Sequence, residues 1–233
     1  MGRSMLSQAI QAATAAGKKS GCASELPAMN NLGIVARYAR GETIFTQGDD
    51  AKFSYKVISG AVRHSKFLMN GRRQIADFSL PDEYFGFDSD HAYSLTAEAL
   101  SDAVVIRYSR ARIERLSDEA PDVRRQLFSN LRRGLLQAQE HLVMLGRQSA
   151  KERVASFLVA LAGRTGAKNC EAVELPMGRQ DIADYLGLTI ETVCRAITDL
   201  KQSGIIGVPN RHQIALARLD ILESLARGED DEV

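Results

Sequence analysis

The side chains best suited to chemistry lie between residues 177 and 206, in the stretch MGRQDIADYLGLTIETVCRAITDLKQSGII. A helix would carry four polar side chains of this stretch on one face, at i, i+3, i+4 and i+7: Glu191, Cys194, Arg195 and Thr198. An arginine can donate two hydrogen bonds to guanine O6 and N7, and a glutamate can accept one from cytosine N4. Glu191 and Arg195 are therefore suited to recognising both bases of a G·C pair.

Two helices are predicted to hold this face outward. Their apolar positions are Ile182, Ala183 and Leu186 in the first and Val193, Ala196, Ile197 and Leu200 in the second. Gly187 suits the left-handed backbone that ends a helix, and Thr189 suits the cap of the next one, with Glu191 in its first turn. The pattern predicts a helix-turn-helix whose second helix enters the major groove of DNA. The alternative is an ordinary amphipathic helical hairpin.

The charge balance neither requires nor excludes a nucleic-acid partner. The formal net charge is +1, and residues 148–233 carry ten Lys or Arg against thirteen acidic residues, a balance of −3. Any electrostatic attraction to DNA must then be local. The candidates for phosphate contact are Arg179, Arg195, Lys201 and Arg211, whereas residues 229–232 form an acidic, solvated tail.

The same stretch resembles the DNA-binding signature of the Crp/Fnr superfamily of bacterial regulators. Its segment from Glu191 to Arg195 is similar to the Glu-x-x-Ser-Arg of the Fnr and FixK branches, with Cys194 in place of serine, and FixK-type regulators are the most similar. The resemblance implies a homodimeric activator, linked to nitrogen fixation, that binds TTGA-like inverted repeats in double-stranded DNA and recruits RNA polymerase. The implied DNA-binding residues are Arg179, Thr189, Glu191, Thr192, Cys194, Arg195 and Thr198.

The first half of the chain is predicted to be an antiparallel barrel or sandwich. From residue 34 to 108, short apolar runs alternate with turn signals, and Asn70-Gly71 indicates a type I′ hairpin joining residues 61–69 to 72–80. In the superfamily this region resembles the β-roll sensor domain. We therefore expect an α+β protein with a β-roll at 31–116, a dimerisation helix at 117–147 and a winged helix-turn-helix at 148–233. Residues 1–30 form an N-terminal extension without an assigned function.

The predicted β-roll lacks the anion clamp of cyclic-nucleotide-binding relatives. Where those relatives carry Gly-Glu and later Arg-Ser or Arg-Thr, this chain has Asp82-Glu83 and Tyr93-Ser94. A buried phosphate without its arginine would cost several kcal/mol. We expect no cyclic nucleotide.

Other cofactors are also not expected. An iron–sulfur sensor would need about four clustered thiolates, and the cysteines are too few and too scattered for such a cluster, a zinc site or a disulfide framework: Cys22, Cys170 and Cys194. The dispersed histidines favour ordinary surface or hydrogen-bonded roles over a haem ligand: His64, His91, His141 and His212.

A long helix starting near Pro121 and Asp122 is predicted to mediate dimerisation. Its apolar residues recur at 3,4,3,4,3: Phe128, Leu131, Leu135, Ala138, Leu142 and Leu145. The alternative is a helix buried wholly within one subunit. Residues 146–149 are interpreted as a hinge, followed by a helix at 151–162, a wing hairpin at 204–208 and 212–216, and a last helix at 219–225.

The remaining alternatives concern regulation. No paired carboxylates, Ser/His/Asp set or phosphate-binding glycine loop supports an enzyme. No apolar run of about 18 residues or secretory signal occurs, so we expect a cytoplasmic protein with no membrane partner. The β-roll either needs no ligand or must bind an unidentified small effector before DNA is bound. Cys194 is either a neutral replacement for serine or a redox-sensitive thiol.

Overall fold

The computed structural model describes residues 33–88, 91–167 and 171–229. The chain forms two compact units, Met1–Leu135 and Leu136–Val233. The N-terminal extension, Cys22, Cys170 and residues 230–232 of the acidic tail lie outside the described residues. Within the described part, no helix is both long and apolar enough to cross a membrane.

The first unit contains two four-stranded antiparallel sheets, with strand orders β1-β8-β3-β6 and β2-β7-β4-β5. This confirms the antiparallel domain expected from the closely spaced turn signals. The strands are β1 Ile34–Tyr38, β2 Thr43–Phe45, β3 Phe53–Ser59, β4 Val62–Phe67, β5 Arg73–Ser79, β6 Tyr84–Phe85, β7 Thr96–Ala99 and β8 Ala103–Ser109.

The β4–β5 hairpin is present, but its predicted turn type is wrong. A type I′ turn needs positive φ at both central residues, and among the described non-glycine residues only Asp82 has positive φ, at 71°. Instead, Gly71 has φ 78° and its N–H donates to the Leu68 carbonyl at 2.9 Å. The loop is therefore longer by one residue, and glycine takes the single left-handed position.

Aromatic rings fill the interior of the first unit. Phe45 stacks on Tyr93 with ring centroids 3.7 Å apart, and Tyr55 stacks on Phe85 at 5.0 Å. The Tyr93 hydroxyl donates to the Phe53 carbonyl at 2.7 Å, so its polar end is satisfied inside the domain. Tyr93 is therefore a core residue.

Two helices follow, α1 at Arg110–Glu119 and α2 at Pro121–Arg147. Ile113 of α1 and Val123 of α2 are buried with Ile106 and Tyr108 of strand β8. Farther along α2 the predicted apolar stripe is open: Phe128, Leu131, Leu135 and Leu142 are 67%, 51%, 59% and 70% exposed. Ala138 is exposed as well, whereas Leu145 is half-buried. Burial of the whole stripe within one chain, the alternative considered above, is therefore wrong.

The second unit comprises the end of α2, four more helices and a small sheet of order β10-β11-β9. Its elements are α3 Ala150–Thr165, β9 Ala172–Glu174, α4 Arg179–Leu186, α5 Ile190–Gln202, β10 Ile206–Asn210, β11 Gln213–Leu216 and α6 Leu219–Ala226. Four apolar residues on the inner face of α3 are buried: Val154, Phe157, Leu158 and Leu161. Strand β9, which has three residues and one of them buried, was not predicted from the sequence.

Candidate nucleic-acid interface

Local backbone chemistry fixes both helices of the predicted helix-turn-helix. Gly187 adopts φ 63° at the end of α4, and its N–H donates to the Ala183 carbonyl. Thr189 then caps α5, because its Oγ1 accepts from the Thr192 N–H at 3.2 Å. Both caps confirm the interpretation of these residue types.

The buried stripes of the two helices determine which face of α5 is exposed. All seven predicted apolar positions lie in the core, with exposures from 0% to 6%: Ile182, Ala183, Leu186, Val193, Ala196, Ile197 and Leu200. The four predicted polar positions are exposed: Glu191, Cys194, Arg195 and Thr198. The helix therefore presents the expected polar face to solvent.

Glu191 remains a hydrogen-bond acceptor at neutral pH. Its own backbone N–H lowers the carboxyl pKa most, followed by the Thr189 side chain, and Arg195 one turn later contributes in the same direction. A carboxylate accepts hydrogen bonds and cannot donate them. Glu191 thus has the protonation state needed to accept from a cytosine amino group.

The three threonines of the predicted site differ in availability. Thr198 donates its hydroxyl proton to the Cys194 carbonyl at 2.8 Å, which leaves only acceptor capacity toward a ligand. Thr192 is half-buried, and its Oγ1 lies 3.0 Å from that of Thr189. Thr189 and Thr192 therefore hold the start of the helix together.

Arg179 begins α4 and lies beside the polar face of α5. Its Nη1 is buried and has no hydrogen-bond partner among the described residues. Burial lowers the pKa of this guanidinium, and the electrostatic interaction with Cys194 opposes that shift. Arg179 and Cys194 are therefore close enough to interact electrostatically, although they come from different helices.

The other basic candidates lie at the ends of elements. Lys201 is exposed in the last turn of α5, and Arg211 is exposed in the turn between β10 and β11. Arg211 Nε lies 3.0 Å from His212 Nε2. These side chains are separate from the four polar positions on α5.

One local structural feature was missed in the sequence. Ser149 and Glu152 form a capping box at the start of α3, in which the Ser149 N–H donates to Glu152 Oε2 at 2.9 Å. The Ser-x-x-Glu spacing ahead of an apolar run is the usual sequence indication of such a box. Residue 149 is thus the ordered start of a helix.

A capped recognition helix packed on a second helix and followed by a β-hairpin wing defines a DNA-binding transcription regulator of the winged helix-turn-helix class. Two family models match the chain: a Crp-like helix-turn-helix domain at residues 152–225 and a cyclic nucleotide-binding domain at residues 35–120. The chain therefore belongs to the Crp/Fnr family of transcription regulators, as the sequence resemblance indicated, and it is not an enzyme.

Among its relatives are the nitrogen fixation regulation proteins FixK. FixK of Rhizobium meliloti (strain 1021) is 41% identical over 84% of this chain and 89% of the relative. FixK of Azorhizobium caulinodans is 42% identical, covering 81% and 80%. The structure of FixK2 from Bradyrhizobium japonicum superposes with a TM-score of 0.78 at 38% identity, covering 83% of this chain and 96% of FixK2.

Proposed function

We propose that this chain is a homodimeric activator that binds an inverted repeat with TTGA and TCAA half-sites and recruits RNA polymerase. The main observation in support is that Glu191 and Arg195 are both exposed on the capped helix α5. We extend to this chain the link to nitrogen fixation that the names of its FixK relatives express.

Each half-site would be bound by one α5 helix. Arg195 would donate to guanine O6 and N7, and Glu191 would accept from a cytosine N4. Arg179, whose Nη1 has no partner among the described residues, would neutralise a phosphate. Two such helices in a dimer contact half-sites about one helical turn, roughly 34 Å, apart.

The exposed apolar stripe of α2 supports dimerisation. Phe128, Leu131, Leu135 and Leu142 recur at coiled-coil spacing and are each at least half exposed. Water contact with such a stripe is unfavourable, and a second copy of the same helix would cover it. Leu145 is half-buried in the single chain, so it would contribute least.

The packing inside the β-roll favours a regulator that binds DNA without a cyclic nucleotide. The Phe45, Tyr55, Phe85 and Tyr93 rings occupy its interior, and Tyr93 supplies no positive charge for a phosphate. We likewise propose that no iron–sulfur cluster is needed, because the sequence lacks clustered cysteines.

The decisive experiment measures fluorescence anisotropy of a labelled inverted-repeat DNA with purified protein and no added small molecule. Sequence-specific binding supports the proposal. Binding that appears only after a cell extract of small molecules is added would instead support a ligand-gated regulator.

We further propose that Cys194 makes DNA binding sensitive to oxidants. The thiol is free and exposed on the α5 face that carries Arg195. Peroxide oxidation of the thiolate to a sulfinate or sulfonate would place a fixed negative charge against the DNA polyanion. We expect no disulfide within one dimer, because recognition helices about 34 Å apart cannot bring Cα atoms to roughly 4.4–6.8 Å.

Peroxide treatment of three proteins tests this role. Wild type should lose DNA affinity, Cys194→Ser should bind and resist, and Cys194→Asp should fail to bind untreated. Equal peroxide sensitivity in wild type and Cys194→Ser would leave Cys194 as a passive replacement for serine.

A further inference from the structure

The short connection between α2 and α3, interpreted from sequence as a hinge, is surrounded by hydrogen bonds from the Arg153 side chain. The Arg153 guanidinium donates to three backbone carbonyls: Nη2 to Leu145 at 2.9 Å, Nε to Gln148 at 2.9 Å and Nη1 to Leu186 at 3.0 Å. Leu145 lies in the last turn of α2, and Leu186 ends α4. Carbonyls at helix C-termini lack intrahelical partners and carry partial negative charge, so one cation stabilises both ends.

Gln148 fixes the same break from the other side. Its Nε2 donates to the Ala226 carbonyl at the end of α6 at 2.6 Å, and its Oε1 accepts from Ser156 Oγ on α3 at 2.8 Å. Its backbone N–H donates to the Met144 carbonyl at 3.2 Å. The segment is therefore bonded to α2, α3 and α6.

The last turns of α2 also touch the helix-turn-helix directly. The His141 ring stacks on Tyr185 of α4, with centroids 4.0 Å apart, and His141 Nε2 lies 3.0 Å from the Tyr185 carbonyl oxygen. A Cβ added to Gly187, in the turn before α5, would meet Leu145 Cδ2 at 3.6 Å. All these contacts lie within the second compact unit.

We propose that Arg153 is a positioning residue that fixes the angle between α2 and the recognition helix α5, and thereby selects the spacing between DNA half-sites. This inference rests on the proposed function, in which α2 joins two chains and each α5 binds one half-site. One extra base pair moves a half-site by about 3.4 Å and rotates it by about 35°. A fixed angle cannot follow that rotation without losing contacts.

The test compares DNA affinity for inverted repeats whose spacer is optimal or changed by one or two base pairs. Wild type should lose about tenfold or more in affinity for each one-base-pair change. Arg153→Met should reduce that loss to about threefold or less, while the preference for TTGA over a half-site changed at its G·C pair stays intact. Arg153→Lys should be intermediate, because lysine is a point charge and lacks the planar fork that reaches three carbonyls.

Val154→Ala is the matched control for lost stability. Val154 is the next residue on α3, is fully buried, and its truncation leaves a cavity without removing any of the three hydrogen bonds. It should lower the melting temperature and keep wild-type spacer selectivity. If Arg153→Met fails to fold, Gln148→Leu replaces it, with the same relaxed spacing expected.

Three results would overturn the inference. The first is wild-type spacer selectivity in the Arg153 variants, and the second is equal relaxation in Val154→Ala. The third is a wild type that is monomeric or ignores the inverted repeat, and only this result also overturns the proposed function.

Discussion

Leu135 offers a quantitative test of the α2 interface. It is 59% exposed in the single chain, and full burial of a leucine side chain is worth about 1.5–3 kcal/mol. Covering the 59% that is exposed would therefore contribute about 1–2 kcal/mol per chain, or about 2–4 kcal/mol for the two copies in a dimer. Leu135→Ala removes most of this contribution. The dissociation constant of the dimer should then rise by about 10-fold to about 100-fold.

The neighbouring residue provides the control. Leu136 is 51% exposed on the same helix but lies outside the 3,4 repeat, so Leu136→Ala removes a similar exposed area without touching the proposed interface. Alanine favours helix in both variants, so neither should unfold α2. Sedimentation equilibrium over a concentration series measures both constants. Equal weakening by the two substitutions, or an unchanged dimer in Leu135→Glu, would refute the interface.

Three further predictions follow from side chains at defined positions. Arg195→Ala should reduce the free energy of DNA binding by roughly 1–3 kcal/mol and relax the base preference at the G·C pair. Arg179→Ala should instead weaken binding to all DNA sequences by a similar factor. Anisotropy titrations with matched and altered half-sites check both predictions. Thr189→Ala should lower the free energy of unfolding by about 1 kcal/mol through loss of the α5 cap, and Thr189→Ser should restore most of it in urea denaturation. Asp82→Asn should lower the free energy of unfolding by about 1–2 kcal/mol, because it removes the charge that pairs with the buried Lys56 ammonium at 3.0 Å. Asparagine tolerates the same positive φ, so the backbone should not change. Thermal unfolding that matches wild type would contradict this prediction.

The helix-turn-helix could be predicted in detail because its determinants are local. The turn at Gly187 and the cap at Thr189 each depend on a hydrogen bond between residues three or four positions apart, and the apolar positions of α5 recur at similar spacing. The type of the β4–β5 turn was predicted wrongly because Asn-Gly suits more than one hairpin loop. Which of these loops forms depends on the register of the two strands, and that register shifts between His64 and Ser65.

The hydrogen bonds made by Gln148 and Arg153 could not be predicted, since they join distant segments. The carbonyl of Leu186 lies 33 positions from Arg153, and that of Ala226 lies 78 positions from Gln148. No local pattern indicates that a polar run such as residues 147–149 will be bonded on several sides. The exposed polar face of α5 was predictable from the sequence. The long-range hydrogen bonds that we propose to orient this helix were not.

The division of α2 between two compact units has a consequence for autonomous folding. Residues 136–147 pack with the DNA-binding helices, where Met144 is buried and His141 covers Tyr185. A fragment starting at residue 148 would lose these groups and the Leu145 carbonyl that Arg153 binds, whereas one starting at residue 136 would keep them. We therefore expect the DNA-binding half to fold cooperatively only in fragments that include residues 136–147, the last part of the continuous helix α2.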